Sequence, residues 1–326
     1  MKLGFWSQLK KPFFVLAPMA DVTDAAFRRI IAKYSRHGEE GGGPDVFWTE
    51  FVSADGLMSR GRDALKYDLM YTEAERPIVA QLFGSNPEKM EGAARLCKEL
   101  GFDGIDINMG CPDKSIEKQG AGACMIKNPE SAKAIIRAAQ RGAEGLPVSV
   151  KTRIGYNKNE IDTWVPALLE ENIAALTIHA RTRKEMSKVP ARWEHVKEVV
   201  EIRNKMGKNT LILGNGDVLT IEDARKKVAE TGCDGVMIGR GIFGNPWLFD
   251  QNKKEIPLEE KLRVMVEHTK LFEELLGEVK SFSIMKKHYK AYVQGFDGAK
   301  ELREKLMLCN TAGEIETIVE QFLGAR

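Results

Sequence analysis

One cysteine stands where a strand stops. The run Gly104–Ile107 reads as a buried strand, and it gives way to Asn108-Met109-Gly110-Cys111-Pro112-Asp113-Lys114. Such a break puts the Cys111 thiol in a loop at the C-terminal end of a strand, where parallel α/β folds build their sites. A thiol with an ordinary pKa of about 8.5 is mostly protonated at neutral pH. It therefore suits proton donation as well as nucleophilic attack.

Polar groups recur at other strand ends. Lys151 and Arg153 leave a fifth strand-like run, His179 and Arg181 a sixth, and Gln81 sits near the end of a third. Each alone fits a surface residue or a satisfied rim histidine. Together, at one mouth, they imply an anionic or electron-rich ligand. Gly214-Asn215-Gly216-Asp217 and Gly239-Arg240-Gly241 follow the seventh and eighth runs. In barrels, loops there bind phosphate through backbone N–H groups. Pro18-Met19-Ala20, at the end of the first run, offers backbone and apolar surface against a flat ring, while the Gln81 amide can pair with a heterocycle edge. These features describe a phosphorylated, planar, aromatic cofactor across a barrel mouth, and FMN fits best. Neither a Walker A sequence nor a GxGxxG after a strand is present.

The elements that must carry these residues are legible as well. Strand-like runs at Phe13–Ala17, Val46–Phe51, Ile78–Phe83, Gly104–Asn108, Val148–Thr152, Ala175–His179, Thr210–Gly214 and Gly235–Gly239 alternate with helical segments. Asn86-Pro87-Glu88 and Asn128-Pro129-Glu130 mark helix starts, and Thr220 with Asp223 gives a weaker signal of the same kind. Eight such units over about 250 residues predict a TIM (β/α)8 barrel; a doubly wound sheet is the alternative. Gln251–Pro257 reads as a linker. Only helical periods follow, including a stripe opened by a possible capping box at Thr311 and Glu314. The expectation is a catalytic barrel over 1–250 and a small all-helical domain over 251–326.

The chain has 326 residues and a net charge of +2, too small to argue for nucleic acid by itself. The stretch Lys280–Lys305 differs, with seven basic and three acidic residues. Phe282, Tyr289, Tyr292 and Phe296 are interleaved there, which fits an RNA-facing surface and equally a solvated helix face over core aromatics. Five cysteines form no CxxC pair and no zinc spacing, so reduced thiols and no metal site are expected. Lys10-Lys11 followed by Phe13–Ala20 has the faint outline of a signal peptide, but the apolar stretch is short and broken by Pro18. A cytoplasmic protein is expected, with no membrane segment and no obligate protein partner.

Several motifs together resemble the tRNA-dihydrouridine synthase family: Ala17–Asp24, Gln81–Gly84, Asn108–Pro112, Lys151–Arg153, His179–Thr182, Asn215–Asp217 and Gly239–Phe249. The tail segment from Lys286 to Arg303 resembles that family's helical domain, and the motif order holds from about residue 12 to 310. The resemblance implies an FMN-bound TIM barrel with a tRNA-binding tail that reduces the uracil C5=C6 bond using NADPH. Carried over residue by residue, Cys111 is the proton donor, Lys151 contacts the flavin ring and Gln81 its edge. His179, Gly216, Asp217, Gly239 and Arg240 hold the phosphate, while Asn108 and Arg181 meet the uridine. Lys114 and Arg153 are expected on the substrate side, and Lys286, Lys287, His288 and Arg303 on the tRNA. One segment departs from the family pattern. Arg183–Trp193 follows His179-Ala-Arg-Thr where the family carries a Gln-x-Tyr-x-Gly type segment, so Lys184, Lys188 and Arg192 there face either RNA or solvent. Two other readings stay open: a flavin barrel acting on a free pyrimidine or other small enone, and an RNA-binding protein with a vestigial barrel.

Overall fold

A computed structural model describes residues 3–253 and 255–325. It contains eight parallel strands: β1 (Phe13–Leu16), β2 (Phe47–Ser53), β3 (Ile78–Phe83), β4 (Gly104–Met109), β5 (Val148–Arg153), β6 (Ala175–His179), β7 (Leu211–Asn215) and β8 (Gly235–Ile238). Their order is β1-β8-β7-β6-β5-β4-β3-β2. The two ends of the sheet meet where Asp45 N donates to Phe14 O at 2.8 Å and Leu16 N to Val46 O at 3.3 Å. The expected barrel is thus present, with strand limits shifted by a residue or two.

Side chains alternate between the lumen and the outer helices along each strand. Phe13, Val15 and Ala17 point in with Trp48, Val79, Leu213 and Met237, and Trp6 closes the lower end, 5.6 Å from the Phe13 ring and 5.9 Å from Trp48. Phe14, Leu16, Leu82, Ile105 and Ile107 point out under the helices. Residues 13–16 of the stretch Phe13–Ala20, which has the outline of a signal peptide, are a barrel strand.

The expected caps form. Asn86 accepts from Lys89 N, Asn128 from Ser131 N and Thr220 from Asp223 N, opening the helices Pro87–Glu99, Pro129–Ala143 and Ile221–Thr231. The crossover after β2 departs from the simple alternation. It carries two one-turn helices, Ala54–Leu57 and Arg62–Leu65, in place of a long one. Buried ion pairing orders this segment: Arg28 Nε donates to Glu75 Oε2 at 2.7 Å, its Nη1 donates to Thr23 O, and its Nη2 donates to Met70 O.

The tail carries the helices Leu258–Leu276, Met285–Tyr292, Ala299–Leu306 and Ala312–Gly324, the last with the Thr311/Glu314 capping box in place. Lys254 of the expected linker lies outside the described residues. The tail core is continuous with the barrel core. The Phe27 ring of helix Ala25–Tyr34 lies 4.6 Å from His268 and 4.8 Å from His288. This corrects one expectation about the basic stretch. His288 is fully buried and is removed from any RNA surface, and so are Tyr289 and Tyr292. Met285, His288, Tyr289 and Tyr292 share one buried helix face at spacings of three and four; it packs on the helix Leu258–Leu276 and, through His288, on Phe27. Phe296 packs on Phe322, 5.9 Å away.

Lys280 joins tail to barrel. Its Nζ lies 2.7 Å from Glu50 Oε2, on β2, and 2.8 Å from Asp68 Oδ1. Beside it, Asp24 caps the helix Ala25–Tyr34 through Oδ1, while its buried Oδ2 has no partner. Burial, with Glu50 nearby, pushes the Asp24 carboxyl up to about 7. Among the described residues no helix is long and apolar enough to cross a membrane.

Candidate active site

The alternation that builds the lumen also builds the site. Gln81 pairs in register with Asp106, Asn108 with Lys151, Arg153 with His179, and His179 with Asn215. Each of these has the parity of the inward face, so the polar residues crowd the C-terminal mouth above an apolar lumen. At that mouth a cavity of about 240 Å³ is lined in part by Ala17, Pro18 and Met19. Lys151, His179 and Asn215 line it together with Gly216, Asp217, Gly239 and Arg240. Nearly every residue expected to hold a cofactor therefore lines one cavity. Gln81 is buried beneath the mouth, and Ala20 is exposed beside it.

The electrostatics are cationic and partly tuned. Burial and the neighbouring Arg153 lower the Lys151 ammonium to about 8, against the opposing pull of Asp106. Its Nζ donates to Asn215 Oδ1 at 3.2 Å, and Asn215 Nδ2 donates to Met237 O at 2.8 Å. Burial, reinforced by Arg153 and Lys151, holds His179 well below its ordinary pKa. The imidazole is therefore neutral at pH 7. Arg181 Nη1 lies 3.1 Å from His179 Nε2. A guanidinium only donates, so Nε2 is the acceptor and the proton sits on Nδ1.

Asp217 is braced between two guanidinia: Arg240 Nη2 donates to Oδ1 at 2.5 Å, and Arg181 Nη2 donates to Oδ2. Partial burial opposes its ionisation, yet the hydrogen bonds from Arg181 and Ala191 N hold it below the usual carboxylate range. Gly216 has φ +128°, and a Cβ there would sit 2.8 Å from Ala191 Cβ. The loop after β7 is a close-fitting cradle that needs glycine.

Two residues expected at the substrate also tie loops together, and one of them, Arg181, lines the cavity. Arg153 Nε donates to Gly110 O at 2.8 Å, and its Nη1 donates to Thr182 O and Met186 O. Arg181 Nε donates to Val189 O, beside its bonds to His179 and Asp217. Both are buried and act as ties between loops. Asn108 holds the cysteine loop: its Oδ1 accepts from Gly110 N at 3.1 Å and Cys111 N at 2.9 Å.

Cys111 is half-buried and packs with Phe51 against Phe83, Ile116 and Ala121. Burial pushes its thiol above the ordinary value, with Arg153 and Lys151 pulling weakly the other way. The thiol therefore stays protonated at neutral pH. Arg183 clamps the same loop from the atypical segment. Its Nε donates to Glu117 Oε1 at 2.9 Å and its Nη2 to Pro112 O at 3.2 Å, with the guanidinium 5.4 Å from the Tyr156 ring centre. Lys184 and Lys188 are exposed, and Arg192 pairs with Glu185 at 2.8 Å. Lys114 is exposed beside Cys111, while Lys286 and Lys287 are half-buried on the tail. Arg303 is tied to Val293 O at 2.6 Å.

Sequence reading assigned no role to two buried residues of the site, Asp106 and Ser149. The signal for Asp106 was its parity: it stands two residues before Asn108 on the same inward face.

The chain is similar to known proteins along nearly its whole length. The sequence model of the family described as dihydrouridine synthase matches residues 15–325. The chain is 40% identical to a probable tRNA-dihydrouridine synthase of Staphylococcus aureus (strain MRSA252) over 325 residues, covering 99% of this chain and 96% of that protein. It is 41% identical to probable tRNA-dihydrouridine synthase 2 of Bacillus subtilis (strain 168), covering 99% and 97%. Among solved structures, an old yellow enzyme homologue from Zymomonas mobilis aligns with TM-score 0.50 at 14% identity, over 76% of this chain and 91% of that one. Histamine dehydrogenase from Rhizobium sp. 4-9 aligns with TM-score 0.51 at 12% identity, over 79% and 48%. These two show a shared barrel fold.

Proposed function

The chain belongs to the dihydrouridine synthase family of enzymes, and from that premise we propose that it reduces uridine in tRNA with FMN and NADPH, using Cys111 as the acid. The observation that carries the reading is a protonated thiol on an apolar patch at a mouth whose cations, neutral imidazole and glycine cradle suit a flavin phosphate.

FMN fits the residues present. Met19 and Pro18 give a flat apolar wall, Lys151 gives a cation beneath the mouth, and Gly216, at φ +128°, lets the loop after β7 pack closely on Ala191 at the cavity's edge. Arg240 is exposed and spends only one nitrogen on Asp217, so the rest of its fork can meet a phosphate. Lys151 would face the polar edge of the ring, and His179 with the backbone of Gly216, Asp217 and Gly239 would hold the phosphate. When bound, FMN supplies the hydride that NADPH delivers.

The protein's part is alignment and a proton. Carbon 6 of uracil is electrophilic because its double bond is conjugated to the C4 carbonyl, and its reduction leaves enolate character ending at C5. The Cys111 S–H donates its proton to C5. Burial favours this role because it disfavours the thiolate. A uridine in folded RNA must leave its stack to reach the mouth. Lys114 beside the cysteine loop, and Lys286 and Lys287 on the tail, supply cations for the RNA backbone. A cytoplasmic setting follows from such a substrate and donor.

The test is anaerobic. Flavin in the purified protein is reduced with NADPH and mixed with unmodified tRNA or with free uridine, and flavin absorbance is followed. Fast reoxidation by tRNA alone supports the reading; reoxidation only by the small substrate refutes it. Cys111→Ala should keep FMN and lose turnover on tRNA by a factor of about 10² or more.

A further inference from the structure

We propose that Asp106 is a positioning residue: it fixes which way the Gln81 amide points and, through Asn108, the seat of the loop that carries Cys111. The role rests on Cys111 being the reacting thiol of the proposed function.

The hydrogen bonds form one chain. Asn108 Oδ1 accepts from the N–H groups of Gly110 and Cys111. Two N–H donors cannot face an NH2 group, so the Asn108 oxygen must point at the loop and its Nδ2 must point away. That Nδ2 donates to Gln81 Oε1 at 3.0 Å. Gln81 then has its Nε2 left to present on the other side, and it donates to Asp106 Oδ2 at 2.6 Å. The second carboxylate oxygen, Oδ1, accepts from Ser149 Oγ at 2.5 Å. Each amide has one permitted orientation, anchored at one end by two backbone donors and at the other by an acceptor-only group.

Burial gives the arrangement its weight. Gln81 is 0% exposed, Asp106 1%, Ser149 2% and Asn108 8%. An unpaired carboxylate at such depth is costly, and an apolar side chain like those lower in the lumen would avoid the cost. Asp106 is therefore placed for what it directs. With a flipped Gln81 amide, an oxygen would face the carboxylate and an NH2 would face Nδ2 of Asn108, so both contacts would turn repulsive. The Ser149 and Gln81 hydrogen bonds and the charge of Lys151 counter the burial, leaving the carboxyl near 6 and mostly ionised at neutral pH.

The polarity of the chain makes a swap decisive. Gln81→Glu sets two carboxylates side by side. Adding Asp106→Asn moves the charge one position along: the new amide donates to the new carboxylate, which still accepts from Asn108, while Ser149 donates to the amide oxygen. The readout is the rate at which a small maleimide labels Cys111, in a Cys124→Ala background, because Cys97, Cys233 and Cys309 are buried. Gln81→Glu should react about tenfold faster than its parent, as loss of a charged buried hydrogen bond loosens the loop. The double variant should return to within about twofold of the parent. A single variant that reacts at the parental rate overturns the proposal, and so does a double variant as fast as the single. Should Gln81→Glu not fold, Asp106→Leu asks the same question with an apolar residue suited to the lumen: faster labelling is expected, and an unchanged rate overturns the proposal. Labelling needs neither flavin nor turnover. If Cys111→Ala kept full activity on tRNA, the proposed function would fall while the labelling result stood.

Discussion

Asp24 offers a sharp test of the electrostatics at the tail–barrel junction. Its carboxyl sits near 7 in the folded protein, first because it is buried and second because Glu50 is close, against an ordinary value of 3.8. Between those two values the native state holds a proton that the unfolded chain has released. Stability therefore falls as pH rises through that window, and levels off above about 7. At about 1.4 kcal/mol per pK unit, a difference of about three units gives a ceiling of about 4 kcal/mol. Asp24→Asn keeps a cap acceptor for Phe27 N but cannot ionise. It also removes a negative neighbour of Glu50, whose own carboxyl is raised by burial. The variant should lose less stability than its parent between pH 5 and pH 8, by about 2–3 kcal/mol. Urea denaturation at four pH values across that range measures the difference. Parallel curves for parent and variant would refute the reasoning.

Three further outcomes are expected. Arg28→Met strands the buried Glu75 carboxylate and the carbonyls of Thr23 and Met70; it should cost about 3–5 kcal/mol in urea denaturation. Gly216→Ala puts a Cβ against Ala191 at a positive φ; FMN affinity, followed by flavin fluorescence, should fall about tenfold or more. Alkylation of Cys111, followed by mass spectrometry against pH, should show a midpoint above the ordinary thiol value, since burial raises it; a midpoint at or below that value would remove the argument for a resting acid.

The strands were legible because a parallel sheet buries both faces, so each strand reads as a short apolar run bounded by turn residues. Caps were legible because the side chain that closes the first turn is local in sequence. Partners were not legible. Arg153 ends a strand and Arg181 follows one closely, as a ligand-binding cation would, but the carbonyls they hold, on Gly110, Thr182, Met186 and Val189, belong to loops whose approach only the closed barrel creates. The aromatics of the basic stretch misled for a related reason. Tyr289 and Tyr292 stand among lysines in the chain, yet at three- and four-residue spacings they share the buried face with Met285 and His288. The missing long helix after β2 has its counterpart in the Arg28–Glu75 pair, whose members stand far apart in sequence.

Lys280 grips two carboxylates at the mouth while the helix Leu258–Leu276 shares its core with the helix Ala25–Tyr34. Among the described residues, tail and barrel thus share one core and one buried ion cluster. A long polymer lying across both would be measured as by a ruler. On the proposed RNA-reducing function, the span from the tail's lysines to Cys111 would set which nucleotide reaches the thiol, by its distance along the RNA fold. The bending needed to arrive there would fall on the RNA.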